Sequence, residues 1–172
     1  MSELITGVIS GVVAAVVFYI FLFSVRPKIY VSDKLCEEID NDGNKIIRIK
    51  VVNKTHFMLT NVKYVLRFCR RRDEHVTQIK EIPPRGTPVG FIDKYSKSDK
   101  NSEYAIRFSY GVPPDMDISA GWLEFAIHAN HGFSNTSACV KKTYKSEDIE
   151  SGKIFETGTS MKTLAVPNPE TA

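Results

Sequence analysis

The chain has 172 residues, 42% of them hydrophobic, and 23 Lys and Arg against 20 Asp and Glu leave a formal charge of +3. So mild a charge excludes a strong nucleic-acid field on composition alone, and the length allows one domain-sized core. The three cysteines, Cys36, Cys69 and Cys139, are too few and too scattered for a disulfide framework and suit a reducing compartment.

Residues 4–25, LITGVISGVVAAVVFYIFLFSV, are an unbroken apolar run, as long as a helix needs to cross the hydrocarbon core of a bilayer. The run has no basic segment ahead of it and no A-x-A-like cleavage site behind it, and it exceeds a signal peptide's apolar region, so it reads as a retained anchor. Glu3 is the charge before it, whereas Arg26, Lys28 and Lys34 follow. The positive-inside rule then puts the C-terminal side in the cytoplasm. The expected organisation is a transmembrane anchor at 1–26, a β domain at 27–165 and a polar, proline-bearing tail at 166–172.

Within the anchor, Gly7, Ser10, Gly11, Ala14 and Ala15 follow helical i, i+3, i+4, i+7 and i+8 spacing, with Ile9, Val13 and Phe18 read as the bulky face opposite. Small residues let two backbones approach closely in lipid. This stripe therefore predicts association through the transmembrane helix, with itself or with a protein partner.

Pro27 ends the helix. Residues 28–36 predict a first strand, Asp40-Asn41-Asp42-Gly43-Asn44 a turn, and KIIRIKVVN a half-buried strand with Ile47, Ile49 and Val51 inward and Arg48 and Lys50 outward. After a polar break at 53–55, Val62, Tyr64, Leu66 and Phe68 share one face of the next strand. Residues 76–82 predict another strand, stopped by Pro83-Pro84, and 87–92 a short edge piece. A polar loop at 96–102 precedes the alternation of Tyr104, Ile106, Phe108 and Tyr110. Trp122, Leu123, Phe125 and Ile127 mark the following strand, with Trp122 and its neighbour competing for the inward face. Ala138, Val140 and Tyr144 mark the last long strand, and 146–152 looks helical or turn-like.

Seven or so short strands without an amphipathic helix argue for an all-β fold, an antiparallel β-sandwich behind a single N-terminal transmembrane helix. The stretch VVNKTHFMLTNVKYVLRF at 51–68 resembles the strand, Asn-containing turn and Asn-Val-x-Val strand of immunoglobulin-like sandwich domains in bacterial proteins. The run WLEFAIHANHGFSNTSACVKKTY at 122–144 resembles the hairpin of small, uncharacterised bacterial membrane-anchored proteins with one N-terminal helix. The resemblance implies an immunoglobulin-like sandwich and carries no catalytic signature.

Four constellations bear on chemistry. Thr136-Ser137-Ala138-Cys139 resembles the Cys segment of sortases, thiolate transpeptidases that also use His and Arg, with His56 or His128 as the base here, but no arginine follows Cys139. His128, His131, Cys139 and Met161 are the residue types of a cupredoxin copper site, yet no histidine follows Cys139 as the compact ligand loop requires. Arg67, Arg70, Arg71 and Arg72, with Lys80 and Arg85 nearby, form the densest basic patch and a candidate grip on anionic lipid headgroups. Asn53-Lys54-Thr55 and Asn135-Thr136-Ser137 match the glycosylation pattern, which a cytoplasmic domain would not use.

Phosphate loops, Rossmann fingerprints and paired catalytic carboxylates do not occur, so the sequence implies no cofactor, no metal and no small-molecule substrate. The expected function is a non-enzymatic protein-interaction or sensor module at the cytoplasmic membrane face, in contact with membrane lipid and a protein partner but not with nucleic acid. Its binding elements would be strand edges or the loops at 55–57 and 131–135. Two alternatives follow from the same residues: an oligomeric membrane effector associating through the helix stripe, and a cryptic cysteine transpeptidase or hydrolase using Cys139.

Overall fold

The apolar run folds into one helix, α1 (Ser2–Ser24), in a computed structural model that describes residues 2–40, 42–74, 76–97 and 102–165. Its segment Glu3–Leu22, 20 residues, is long and apolar enough to cross a membrane, and none of that segment is buried inside the protein. The last turn closes through Val25 N–H to the Phe21 carbonyl at 3.2 Å, and Pro27, buried just beyond, has no N–H to continue the ladder. The expected tail at 166–172, Asn41 of the first turn and the centre of the 96–102 loop lie outside the described residues.

Twelve strands follow among the described residues: β1 (Ile29–Val31), β2 (Leu35–Ile39), β3 (Lys45–Asn53), β4 (Leu59–Asp73), β5 (Val76–Ile82), β6 (Pro84–Arg85), β7 (Ala105–Gly111), β8 (Trp122–His131), β9 (Ser137–Tyr144), β10 (Ile149–Ser151), β11 (Lys153–Phe155) and β12 (Thr163–Ala165). One sheet runs β10-β2-β3-β7-β6, with β1 also on β3; a second runs β5-β4-β8-β9; β11 and β12 form a separate hairpin. The β10–β2 pair is parallel, and the other pairs are antiparallel.

The two larger sheets share one core. Ile47, Ile49, Val51, Phe108 and Tyr110 from the first meet Leu66, Phe68, Leu123, Phe125 and Ile127 from the second. Aromatic rings cross between them, Phe108 lying 4.1 Å from Tyr64 and 6.0 Å from Phe125 between centroids, the spacing at which offset and edge contacts are favourable. Strict alternation on β8 buries Leu123, Phe125, Ile127, Ala129 and His131. Trp122 consequently takes the opposite face and is half-buried.

The structure departs from the sequence reading in four places. The first strand is split: β1 and β2 lie in line along one edge of β3, interrupted at Ser32, whose hydroxyl accepts the Lys50 N–H at 3.2 Å where a strand carbonyl would otherwise serve. Residues 87–92 make one isolated bridge, Leu59 to Ile92, because Pro88 has no N–H to give a ladder and Gly90 costs the most entropy to extend. The turn-like segment at 146–152 contains a 3-10 turn, Ser146–Asp148, and then β10, which adds to β2. Finally, β3 is not half-buried. Lys50 is 1% exposed and Val52 fully buried, because the chain around β11 and β12 lies over the outer face of the sheet.

That covering segment is held by two cations. The Lys50 ammonium donates to the carbonyls of Glu156 and, at 2.6 Å, Ser160, and the Arg107 guanidinium donates to the Phe155 carbonyl at 3.0 Å. Burial, with Arg107 beside it, pushes the Lys50 ammonium down to about 8. A cation in this position satisfies carbonyls that a turn cannot pair within itself.

Truncating the fully buried Leu66 to Ala is expected to lower the unfolding free energy by about 2–5 kcal/mol, as for other core leucines. Lys63→Ala, on the exposed face of the same strand, should change it by less than about 0.5 kcal/mol. Urea denaturation of the detergent-solubilised chain, followed by circular dichroism, measures both.

Candidate functional site

The β domain has two unlike ends, and β4 joins them. At its start Leu59 pairs with His131; further along, Cys69 pairs with Trp122, where β8 begins. Among the described residues, Arg70 to Asp73 run on past that point paired with β5 alone, although Arg70 also borders Asp115, Met116 and Asp117 across a small hollow. This ribbon projects from the body of the sheet.

The end near Leu59 is organised by Asn53. Its side chain is fully buried, donates from Nδ2 to the carbonyls of Phe57 and Asp93 at 2.9 and 2.8 Å, and accepts the Thr55 N–H at 2.8 Å. An amide with three good bonds in a dry site fixes the loop at 54–58. With the Asn53 amide nitrogen so committed, the first glycosylation tripeptide serves as a loop clamp.

That loop grips the chain leaving α1. The Lys28 N–H donates to Thr55 Oγ1 at 2.9 Å, and the Lys54 N–H donates to the Lys28 carbonyl at 2.9 Å. From the other side, the hydroxyls of Ser134 and Thr136 both donate to the Val25 carbonyl at 3.2 Å. Satisfying an orphan carbonyl at the helix terminus ties the helix end to the β8–β9 turn.

The two loops also bind each other. Gly132 N–H donates to the Met58 carbonyl at 2.9 Å, and a Cβ on Gly132 would stand 2.7 Å from that oxygen, so only glycine permits the approach. His131, 1% exposed, accepts at Nδ1 from the N–H groups of Phe133 and Ser134 at 3.3 and 3.2 Å. Burial holds its imidazole below the usual histidine range, and the neutral ring is the form that can accept there. Outside these bonds stand Phe57, Met58 and Phe133, 44%, 44% and 64% exposed, with the Phe57 and Phe133 rings stacked at 5.5 Å. The loops at 55–57 and 131–135, separate in the sequence reading, are thus one structure.

The far end carries the arginines. Arg67, Arg70, Arg71 and Arg72 are exposed on β4, and among the described residues none of them forms a salt bridge. Arg70, Arg71, Arg72 and Gln78 line a hollow of about 440 Å³, beside exposed Val76 and Ile79 on β5. Thirteen residues of strand, about 40 Å at 3.3 Å each, separate Arg72 from Leu59. The expected patch is also divided: Lys80 pairs with Asp115 at 3.3 Å, and Arg85 leaves for the other sheet, where it pairs with Asp40 at 2.7 Å. Arg72 thus lies at the far end of β4 from the loops that hold the helix exit.

The remaining candidates are scattered. Cys139 lies opposite His128 on the exposed face of β8 and β9, with no hydrogen bond to either side chain among the described residues. His131 points inward from the same strand, so His128, His131 and Cys139 do not converge, and among the described residues no three His, Cys, Asp or Glu side chains group as metal ligands. Gly7 and Gly11 have nothing within 4 Å of a built Cβ, and Ser10 Oγ donates to the Gly7 carbonyl at 3.0 Å. Ala14 and Ala15 continue that exposed face of α1. Phe18, read from the sequence as opposite the stripe, stands about three full turns from Gly7 and so on the same side as Gly7.

No protein-family model matches this chain, and no curated protein matches it.

Asn53→Ala removes all three loop bonds and is expected to cost about 1–3 kcal/mol per polar group left buried and unpaired, measured by urea denaturation; an unchanged midpoint would show that the loop stands without the clamp. For His131 the sign runs against acid: the unfolded imidazole takes a proton near pH 6.5 while the folded one resists. Stability is therefore full above about pH 6.5 and falls as the pH drops below it, towards the lowered folded value. Melting curves at neutral and mildly acidic pH should show this loss in the parent chain and a smaller one in His131→Gln.

Proposed function

We propose that the chain is a single-pass membrane protein whose immunoglobulin-like sandwich is held at the cytoplasmic face as a non-enzymatic protein-interaction module. The observation that carries this reading is polarity. The helix joins the domain at one end, and the opposite end projects a ribbon with Arg70, Arg71 and Arg72 beside exposed Val76 and Ile79. Guanidinium groups suit a partner with an acidic surface, since charge complementarity steers encounter, and Ile79, opposite Cys69 and so on the face of Arg67 and Arg71, adds apolar contact. The roughly 40 Å of β4 between Leu59 and Arg72 supports an encounter away from the helix end of the domain.

The two mainly antiparallel sheets around one core support the sandwich assignment. The basic residues behind α1, Arg26, Lys28 and Lys34, support the cytoplasmic orientation. The exposed position of Cys139 opposite His128, with no hydrogen bond to either side chain among the described residues, supports a binding role over thiol catalysis.

Alkaline phosphatase fused after Ala172 is expected to be inactive in a bacterial host, and an active fusion would reverse the orientation. A photo-crosslinking side chain at Ile79 should give protein adducts in cells. Reversing Arg70, Arg71 and Arg72 to Glu should cut their yield about tenfold or more, because like charges across an interface cost several kcal/mol. Adducts that ignore the reversal would refute the acidic-partner reading.

A further inference from the structure

The geometry points to a lipid-docking rim, formed by Phe57, Met58 and Phe133, that seats in the interfacial layer of the bilayer crossed by α1. The inference rests on α1 spanning that membrane, as proposed above, and adds a second attachment point that orients the domain.

Exposure and position carry it together. Three large apolar side chains from two loops stand 44%, 44% and 64% exposed, although the backbones beneath them are tightly bonded through Gly132 to Met58, His131 to Phe133 and Asn53 to Phe57. A rigid base under exposed apolar tips is the arrangement of a surface that inserts, since preorganised tips lose little freedom on docking. Flanking the rim, Phe91 is 63% exposed next to Ile92, which is bonded to Leu59 at 2.8 and 3.0 Å.

The depth also fits. The apolar segment Glu3–Leu22 has 20 residues, about 30 Å of helix and the thickness of a hydrocarbon core. Val25 lies three residues, about 4.5 Å, beyond it, at headgroup level. Because the Val25 carbonyl is bonded directly to Ser134 and Thr136, the neighbouring Phe133 is confined to the same level. No folded partner fits between a rim so placed and the bilayer, whereas aromatic side chains favour this layer. Lys28 and Lys54 beside the exit, the latter with its ammonium 4.4 Å over the Tyr30 ring, suit an anionic leaflet.

The test uses the full chain reconstituted in phosphatidylcholine vesicles containing phosphatidylglycerol. Trp122, the single tryptophan, is replaced by Phe, and an indole is introduced by Phe133→Trp or, in a second reporter, Met58→Trp. Lipids brominated at a shallow acyl position are expected to quench roughly half of the emission from either reporter, as for an interfacial aromatic. An indole placed by Val76→Trp at the far end should keep its intensity. Resistance to alkaline carbonate extraction reports α1 insertion separately. A chain that resists extraction while neither reporter is quenched overturns the rim and leaves the membrane reading standing. A chain that is extracted overturns both. Reporters shielded from aqueous acrylamide at high protein-to-lipid ratio, yet not quenched by lipid, would mean a second copy covers the rim, which also overturns the proposal.

Discussion

The buried amide of Asn53 is the constraint on which the helix-proximal half of the molecule depends. Placed at the end of β3 with no access to water, it must satisfy its polar atoms inside the protein, and it does so by holding Phe57, Asp93 and Thr55 in a single geometry. Thr55 then receives the Lys28 N–H, and the chain leaving α1 is captured. Sheet, loop and helix exit are therefore linked through one side chain.

A second buried polar device works on the opposite side of the first sheet. Lys50 reaches out of β3 to carbonyls of the segment between β11 and β12, and Arg107 out of β7 to the carbonyl of Phe155 at the end of β11. Two neighbouring cations under a covering loop would repel, and the depression of the Lys50 ammonium to about 8 reflects burial first and that repulsion second. Carbonyl oxygens offset part of this cost and give the irregular chain after β10 a fixed place. The same cover encloses Cys36, whose thiol burial pushes up to about 11, well away from a reactive thiolate.

Polarity along β4 connects architecture to role. A strand of fifteen residues is long for a domain of this size, and the excess emerges as a ribbon beyond β8. One end of that strand meets the loops that hold the helix, and the other displays arginines that form no salt bridge among the described residues. Hydrogen bonds from Ser119 lower the Asp117 carboxyl, and Arg70 stands near enough to help. The helix junction and the arginine ribbon are thereby separated by the length of one strand, and in the function proposed above these two ends would serve attachment and recognition.

The sequence by itself determined the apolar helix, the strand alternations of β3, β4, β7, β8 and β9, and the inward set of Ile47, Ile49, Leu66, Phe125 and Ile127. These depend on local periodicity, which a 2-residue or 3.6-residue repeat displays directly. It also flagged the stripe, the arginines and both helix-proximal loops. Only the tertiary structure decided that Lys50 is buried, since its cover comes from residues more than a hundred positions away, and that β1 and β2 share one edge of β3 through Ser32. It likewise decided that residues 55–57 and 131–135 form one rim and that the arginine patch lies at the other end. Those facts follow from which strand ends are neighbours, a property of register and topology that no single stretch of sequence contains.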